Sequence, residues 1–290
     1  AMAKAKGKRN HRKEKLEFVQ DYLPIRDLKN GIIETTDNRY IKILEVLPIN
    51  FTLKSYEEQD NIIHLFASWL RIAPSSLQFK IITRRADSSN IIQTIEDASE
   101  KETQPKCREL IEDHIKFIER LSGTEALQRR FFLIFEYENT SIRKKTIDDI
   151  ADDVEETCRK VRGGLGACGN EVIIPTDEDY FMAEILYLFY NRKTCIEEPL
   201  DSRIIRVTKD YMAMHGLVEG EDPYPDVPII DYLAPRGIDF THKNFMIWDG
   251  QYVAMYYIES AGYPSQVHGG WVSSLFEAGD GVDVDIILRK

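Results

Sequence analysis

Long apolar runs are missing from this 290-residue sequence. No stretch approaches the ~18 residues that would mark a membrane span. The longest, Phe131 to Phe135, is the length of a strand. The N-terminus is basic, but no apolar segment follows it, so it does not read as a secretory leader. Cysteine is scarce. Cys107, Cys158, Cys168 and Cys195 lie far apart with no C-x-x-C pair, which argues against a disulfide scaffold or zinc ribbon and points to buried free thiols. The histidines show neither ligand spacing nor an H-E-x-x-H, so no metal site is expected. Together these absences point to the cytoplasm.

Phosphate-binding loops are missing too. A P-loop needs G-x-x-x-x-G-K-[ST] between a strand and a helix, so that backbone N–H groups wrap the phosphates. The one Gly-Lys pair is Gly7-Lys8, and Arg9 follows it. Gly164-Leu165-Gly166-Ala167-Cys168-Gly169 matches G-x-G-x-x-G letter for letter, but a helical pattern precedes it and a strand follows. The dinucleotide fingerprint requires the opposite order, with the helix N-terminus facing pyrophosphate. These glycines after Arg162 therefore read as a helix C-cap and connection. No G-x-S-x-G elbow and no Cys–His signature occur. The paired acids Asp148-Asp149, Asp152-Asp153 and Glu155-Glu156 lie on the outer face of one helical pattern and read as solvated charge. No catalytic residue, cofactor-binding residue or metal ligand is assigned.

Charge is present in quantity and unevenly placed. The net charge is −11, yet Lys4, Lys6, Lys8, Arg9, Arg12, Lys13 and Lys15 face only Glu14 in the tail. The acidic remainder repels nucleic acid, so no sequence-specific DNA or RNA binding is expected of it. The seven basic residues are candidate contacts to phosphate at an anionic membrane surface; a disordered solubilising arm is the plainer alternative.

The apolar pattern describes an α+β protein. Segments around Asp37-Asn38 read as a hairpin. Ser55-Tyr56-Glu57-Glu58 is a capping box opening a helix that Pro74 stops, and Leu77, Phe79 and Ile81 alternate as a strand. A helical insertion broken at Pro105 follows. Phe131–Phe135 reads as a central strand covered on both faces. Thr146-x-x-Asp149 caps a helix with apolar residues at 147, 150, 154, 158 and 161, and Thr176-x-x-Asp179 opens another. Asp249-Gly250 is the strongest hairpin signal, between strands at 245–248 and 252–258. With a short helix near 270–277 and a terminal strand, this gives a second β-β-α-β order, read as a candidate duplication of the first. The expected organisation is a basic tail (1–20), a first α/β unit (21–175), a helical segment (176–215), a proline-rich linker (216–237) and a second β-β-α-β unit (238–290) packing on the first. Mixed sheets covered by helices are expected. Trp248, Tyr252, Tyr256, Tyr263 and Trp271 cluster late in the sequence, either as the core of a small sheet or as a partner surface.

Tyr22-Leu23-Pro24-Ile25, Asn30-Gly31-Ile32-Ile33-Glu34, Ser55-x-Glu57-Glu58-Gln59, Arg236-Gly237-Ile238-Asp239-Phe240, and Tyr263-Pro264 with Gly270-Trp271 together resemble the N-terminal region of VirB-four-type (TraE/TrbE-like) ATPases of conjugation and type IV secretion, in their Gram-positive branch. The resemblance implies a fragment preceding a motor domain, with ATP and Mg handled only by that motor. It implies a docking and assembly role at the inner face of the cell membrane, with membrane-embedded secretion subunits, its own ATPase domain and further copies of itself as partners. A standalone adaptor of a secretion or mobile-element system is a second reading. A nucleic-acid-processing enzyme is a third, though no histidine cluster accompanies a candidate tyrosine nucleophile.

Overall fold

The computed structural model describes residues 18–85, 89–124, 127–138, 145–220, 222–258 and 281–289, with the single positions 262, 270 and 274. In chain order its strands and α-helices are β1 (Ile25–Lys29), β2 (Ile32–Thr35), β3 (Arg39–Leu47), α1 (Tyr56–Ile72), β4 (Ser76–Arg85), α2 (Ser89–Lys101), α3 (Pro105–Thr124), β5 (Leu127–Glu138), α4 (Ile147–Ala167), β6 (Glu171–Val172), α5 (Glu178–Tyr190), α6 (Thr194–Glu197), α7 (Leu200–His215), α8 (Ile229–Leu233), β7 (Ile238–Asp239), β8 (Met246–Trp248), β9 (Gln251–Val253) and β10 (Asp283–Arg289). Two compact units result, Lys29–Met182 with Tyr256–Lys290, and Ala1–Leu28 with Ala183–Met255. Among the described residues, no helix is long and apolar enough to cross a membrane.

The larger unit is built on a sheet in which β2, β3, β5, β4 and β10 follow one another, with β6 also paired to β3. Every one of these pairings is antiparallel, so the expected mixed sheet is not what forms. The expected first β-β-α-β order does form, as β2, β3, α1 and β4, and β5 inserts between β3 and β4 as a central strand. Both predicted capping boxes are made. Ser55 Oγ accepts from Glu58 N, and Thr146 Oγ1 accepts from Asp149 N. The stripe Ile147, Ile150, Val154, Cys158, Val161 and Leu165 recurs every three or four residues, so it lies along one side of α4. It packs with Tyr40, Leu44, Leu77, Leu133, Phe135 and the α1 residue Trp69 in one apolar core.

Cys158 sits inside that core, and burial pushes its thiol up to about 11. At pH 8 it is protonated, and the thiolate is the reactive form. A disulfide reagent applied to the native protein at pH 8 is therefore expected to label the partly exposed Cys107 and to reach Cys158 only on unfolding. Labelling of Cys158 at the Cys107 rate would contradict this placement.

The opposite face of the sheet carries charge. One cross-strand row reads Glu45, Phe132, Lys80, Asp285. Arg130 grips Glu45 through two bonds of 2.7 and 2.8 Å and lies over the Phe132 ring at 5.3 Å, and Phe132 is only 1% exposed. Lys80 pairs with Asp285 at 3.0 Å, and Arg84 holds Asp283 through both terminal nitrogens. These pairs tie β10 to β4 in addition to the backbone ladder.

In the smaller unit, β7, β8 and β9 form their own three-stranded sheet. Asp249 (φ 51°) and Gly250 (φ 75°) both take left-handed backbone, as a two-residue hairpin turn of the right twist requires. The proline-rich stretch is not a linker. It contains α8, and Val227, Leu233 and Ala234 are buried. Its carbonyls are claimed from α7 and the residue after α5: Arg203 donates to Tyr232 O (3.3 Å) and Ala234 O (2.9 Å), and Asn191 Nδ2 donates to Leu233 O (2.8 Å). Proline removes donors but leaves acceptors, and here buried donors meet them.

Other expectations also change. The hairpin ends at Val253, and residues 254–258 are not a strand. The second β-β-α-β unit, and with it the duplication, does not form as expected: β8 and β9 belong to the small sheet, whereas β10 adds to β4. The helix expected near 270–277 lies outside the described residues except for positions 270 and 274. Residues 238–253 share a compact unit with the helices from Ala183 onward rather than forming one with the terminal strand.

Candidate functional site

The residues singled out from sequence separate in the structure. Lys4, Lys6, Lys8, Arg9, Arg12, Lys13 and Lys15 lie outside the described residues, as do Tyr263 and Trp271. Trp248 is half-buried; its Nε1 donates to Tyr190 O at 2.6 Å and its ring stacks on Tyr190. It anchors the smaller unit. Tyr252 is exposed, with its ring edge-on to Phe245, and Tyr256 is 93% exposed. Of the described members of the aromatic cluster, Trp248 packs inward whereas Tyr252 and Tyr256 are exposed.

The glycine-rich segment does not suit a nucleotide. Helix α4 continues past Arg162 to Ala167, so most of these glycines are helical rather than a connection. Only Gly169, at φ 85°, terminates it: Asn170 N donates to Leu165 O and Gly169 N to Gly166 O, the paired bonds of a Schellman cap. A Cβ on Gly164 would lie 1.9 Å from Trp69 Cδ1, so this glycine serves close packing of α4 on α1.

A different group of residues converges in the larger unit. Tyr40, Lys42 and Leu44 share one face of β3, the face that α4 covers. Lys42 is therefore a cation at a core-facing position, with its side chain 8% exposed. Its ammonium donates to Glu178 Oε2 at 2.6 Å and to Asn30 O at 3.4 Å. Asn30 (φ 55°) and Gly31 (φ 62°) form the turn that brings this carbonyl in. A side chain on Gly31 would meet Lys42 Nζ at 2.6 Å and Glu178 Cβ at 2.8 Å. Gly31 N donates to Asp179 Oδ1 at 2.5 Å, and Lys29 and Asn30 both reach Asp148. The Lys29 ammonium holds the Asp148 carboxyl below its ordinary range. Helix α5 is capped by Asp177, whose Oδ1 accepts from Tyr180 N, rather than by the expected Thr176. That leaves Glu178 and Asp179 to tie the turn to the start of the helix.

Beside this clamp lies a cleft of about 550 Å³, lined by Asp152, Glu155, Asp177, Glu178 and Asp179 and reached by Lys42. Among the described residues, no His, Cys, Asp and Glu group has the arrangement of a metal site. The arrangement holds no activated nucleophile; it fixes a turn and presents an acidic rim. Sequence reasoning missed Lys42 and Glu178. The available signal was a lysine at an inward position of an apolar strand, where unpaired charge is rare.

The turn, strands and helices of this clamp lie largely within one recognisable segment. Residues 26–159 match the family model of the archaeal TraC-like domain. The match points to a conjugation-related family. It runs from β1 into α4 and includes Asn30, Lys42, Asp148 and Glu155, whereas Glu178 lies beyond it. No curated protein matches the chain.

Proposed function

We propose that the chain is the N-terminal docking and assembly region of a conjugative DNA-transfer (type IV secretion) ATPase of the VirB-four type, contacting membrane-embedded subunits and organising the motor without catalysing a reaction itself. The TraC-like match over residues 26–159 carries this reading. The absence of a Walker A sequence supports a non-catalytic role. The G-x-G-x-x-G letters offer no substitute, because Gly164 is packed against Trp69 within a helix and Gly169 closes that helix. The glycine-rich segment does not fit a nucleotide, and in this reading ATP and Mg belong to the motor domain that it implies.

In this proposal the basic tail holds the region at the inner membrane face. Each basic residue near an anionic leaflet contributes about 1 kcal/mol, screened by salt. Flotation tests both contacts: the chain, with and without residues 1–15, is mixed with anionic vesicles that either carry or lack the membrane-embedded subunits of its conjugation system. Subunit-bearing vesicles are expected to float both versions. Empty vesicles are expected to float only the version with the tail, and only at low salt, with no ATP turnover in any sample. Equal flotation of the version lacking residues 1–15 on both vesicle types would remove the docking role. Turnover that survives further purification would remove the non-catalytic one.

A further inference from the structure

Just after the basic tail, the smaller unit displays aromatic rings instead of burying them. Phe18 is 69% exposed, and a single 3₁₀ turn, Val19–Tyr22, follows it. The turn is a fixed base. Phe18 N donates to Asp21 Oδ2 at 3.1 Å, and Asp21 N donates back to Phe18 O at 3.0 Å. Gln20 Nε2 donates to Asp231 Oδ1 at 3.2 Å. Leu23 and Ile25, immediately beyond, are buried and anchor the segment. The Tyr22 ring lies 5.5 Å from that of Phe240, which is itself 53% exposed. Phe240 follows β7 and opens a loop in which Thr241, His242, Lys243 and Asn244 are all exposed. Phe18, Tyr22 and Phe240 belong to the same compact unit.

Clustered exposed rings mark a contact surface, and the charge beside these rings says what kind. The seven basic residues at 4–15 end three residues before Phe18. Lys15 therefore lies within about 11 Å of it, the reach of three extended residues. Lys243 adds a further cation in the Phe240 loop. The acids next to the rings are engaged by backbone amides, Asp21 by Phe18 N and Asp239 by Thr241 N at 2.8 Å. Apolar rings next to concentrated positive charge fit an anionic lipid surface. Its headgroups attract lysine and arginine, and its interfacial layer accepts aromatic side chains. A polybasic segment alone gives a reversible, salt-screened contact, and firm anchoring takes a second, apolar signal.

We propose that Phe18 and Phe240, braced by Tyr22, enter the interfacial layer of an anionic membrane. They supply the apolar half of a contact whose electrostatic half is the basic tail. This inference rests on the reading that holds the tail at the membrane and adds to it a defined point of insertion. Neither half suffices alone: without the tail the rings lack the attraction that brings them to the surface, and without the rings the tail does not set which part of the smaller unit faces lipid.

Phe240→Trp in the full chain reports insertion directly. On vesicles of phosphatidylcholine and phosphatidylglycerol at low salt, its added fluorescence over wild type should shift to the blue. Brominated acyl chains should quench it. Vesicles of phosphatidylcholine alone should give neither effect. The double variant Phe18→Ser/Phe240→Ser should partition onto the anionic vesicles about tenfold more weakly, with its far-UV spectrum unchanged. If that variant disturbs folding, Phe18→Ser alone decides, since Phe18 is the more exposed ring. Flotation of the Phe240→Trp chain without quenching, or equal partitioning of wild type and the serine variant, overturns the insertion and leaves the tail contact standing. A full chain that does not float on anionic vesicles at low salt overturns both. Serine substitutions that weaken flotation only on vesicles bearing the secretion subunits assign the rings to a protein partner and overturn the lipid contact.

Discussion

Asp249→Ala is expected to destabilise the smaller unit by roughly 3–5 kcal/mol, enough to remove much of a domain's ordinary margin. Asp249 is 2% exposed, and its carboxylate accepts from Lys193 N (2.9 Å), Thr194 N (2.7 Å) and Thr194 Oγ1 (2.6 Å). The hairpin turn thereby caps α6, more than 50 residues earlier in the chain. Alanine leaves two backbone donors and a hydroxyl without this acceptor, at about 1–3 kcal/mol for each buried group left unsatisfied. It must also hold φ 51°, which costs a non-glycine residue about 1–2 kcal/mol. Asparagine tolerates that backbone. Its carbonyl can replace the oxygen that takes both N–H groups, and its amide can donate to the Thr194 hydroxyl. Asp249→Asn is therefore expected to recover most of the loss. Hydrogen exchange over residues 193–197 and denaturant unfolding followed by tryptophan fluorescence would check both. Equal behaviour of the two variants would show that the carboxylate's bonds do not hold this corner.

The second large effect has opposite signs at neighbouring positions. Gly163, Gly164 and Gly166 all lie in α4, where replacing glycine by alanine ordinarily stabilises by about 0.5–1 kcal/mol. A Cβ at Gly163 or Gly166 meets nothing within 4 Å, so those two substitutions should show that gain. At Gly164 it would lie 1.9 Å from the buried Trp69 indole, whose ring also contacts Phe66 and Phe79. Overpacking costs about 1–3 kcal/mol, and such a close approach to a rigid ring belongs at the upper end. The net expectation for Gly164→Ala is a loss of about 2 kcal/mol. A double-mutant cycle with Trp69→Phe should show coupling, because both changes act on one contact. A Gly164→Ala midpoint at or above wild type would refute the packing role.

What the sequence made legible was local. Ser55 and Thr146 announced their helices because each capping partner lies three residues away. Asp249-Gly250 announced its turn because both central residues suit left-handed backbone. Phe131–Phe135 announced a central strand because both faces needed cover. The rest depended on partners distant in the chain. Lys42 reads as an ordinary strand lysine until Glu178 and the Asn30 carbonyl are set beside it. Gly164 reads as a helix terminator until Trp69 arrives from α1. The prolines between 223 and 235 suggested a linker, since their missing donors were visible whereas Arg203 and Asn191, which satisfy nearby carbonyls, were not. The candidate site was the least legible part. Its turn was noticed through resemblance, its buried ion pair was overlooked, and the basic tail falls outside the described residues.

The pairing of β10 with β4 also sets a timetable for biosynthesis. The segment that forms the core of the smaller unit, residues 183–255, is translated after β4 and before β10. At ordinary synthesis rates of about 5–20 residues per second, the nearly 200 residues separating Arg85 from Asp283 take roughly 10–40 s to make. Throughout that interval the nascent chain carries Leu77, Phe79 and Ile81 on a strand one of whose two neighbours, β10, has not yet been made. Cooperative closure of the sheet is thus a late event on the ribosome, and β4 is the place where a chaperone or a stray strand would have its opportunity.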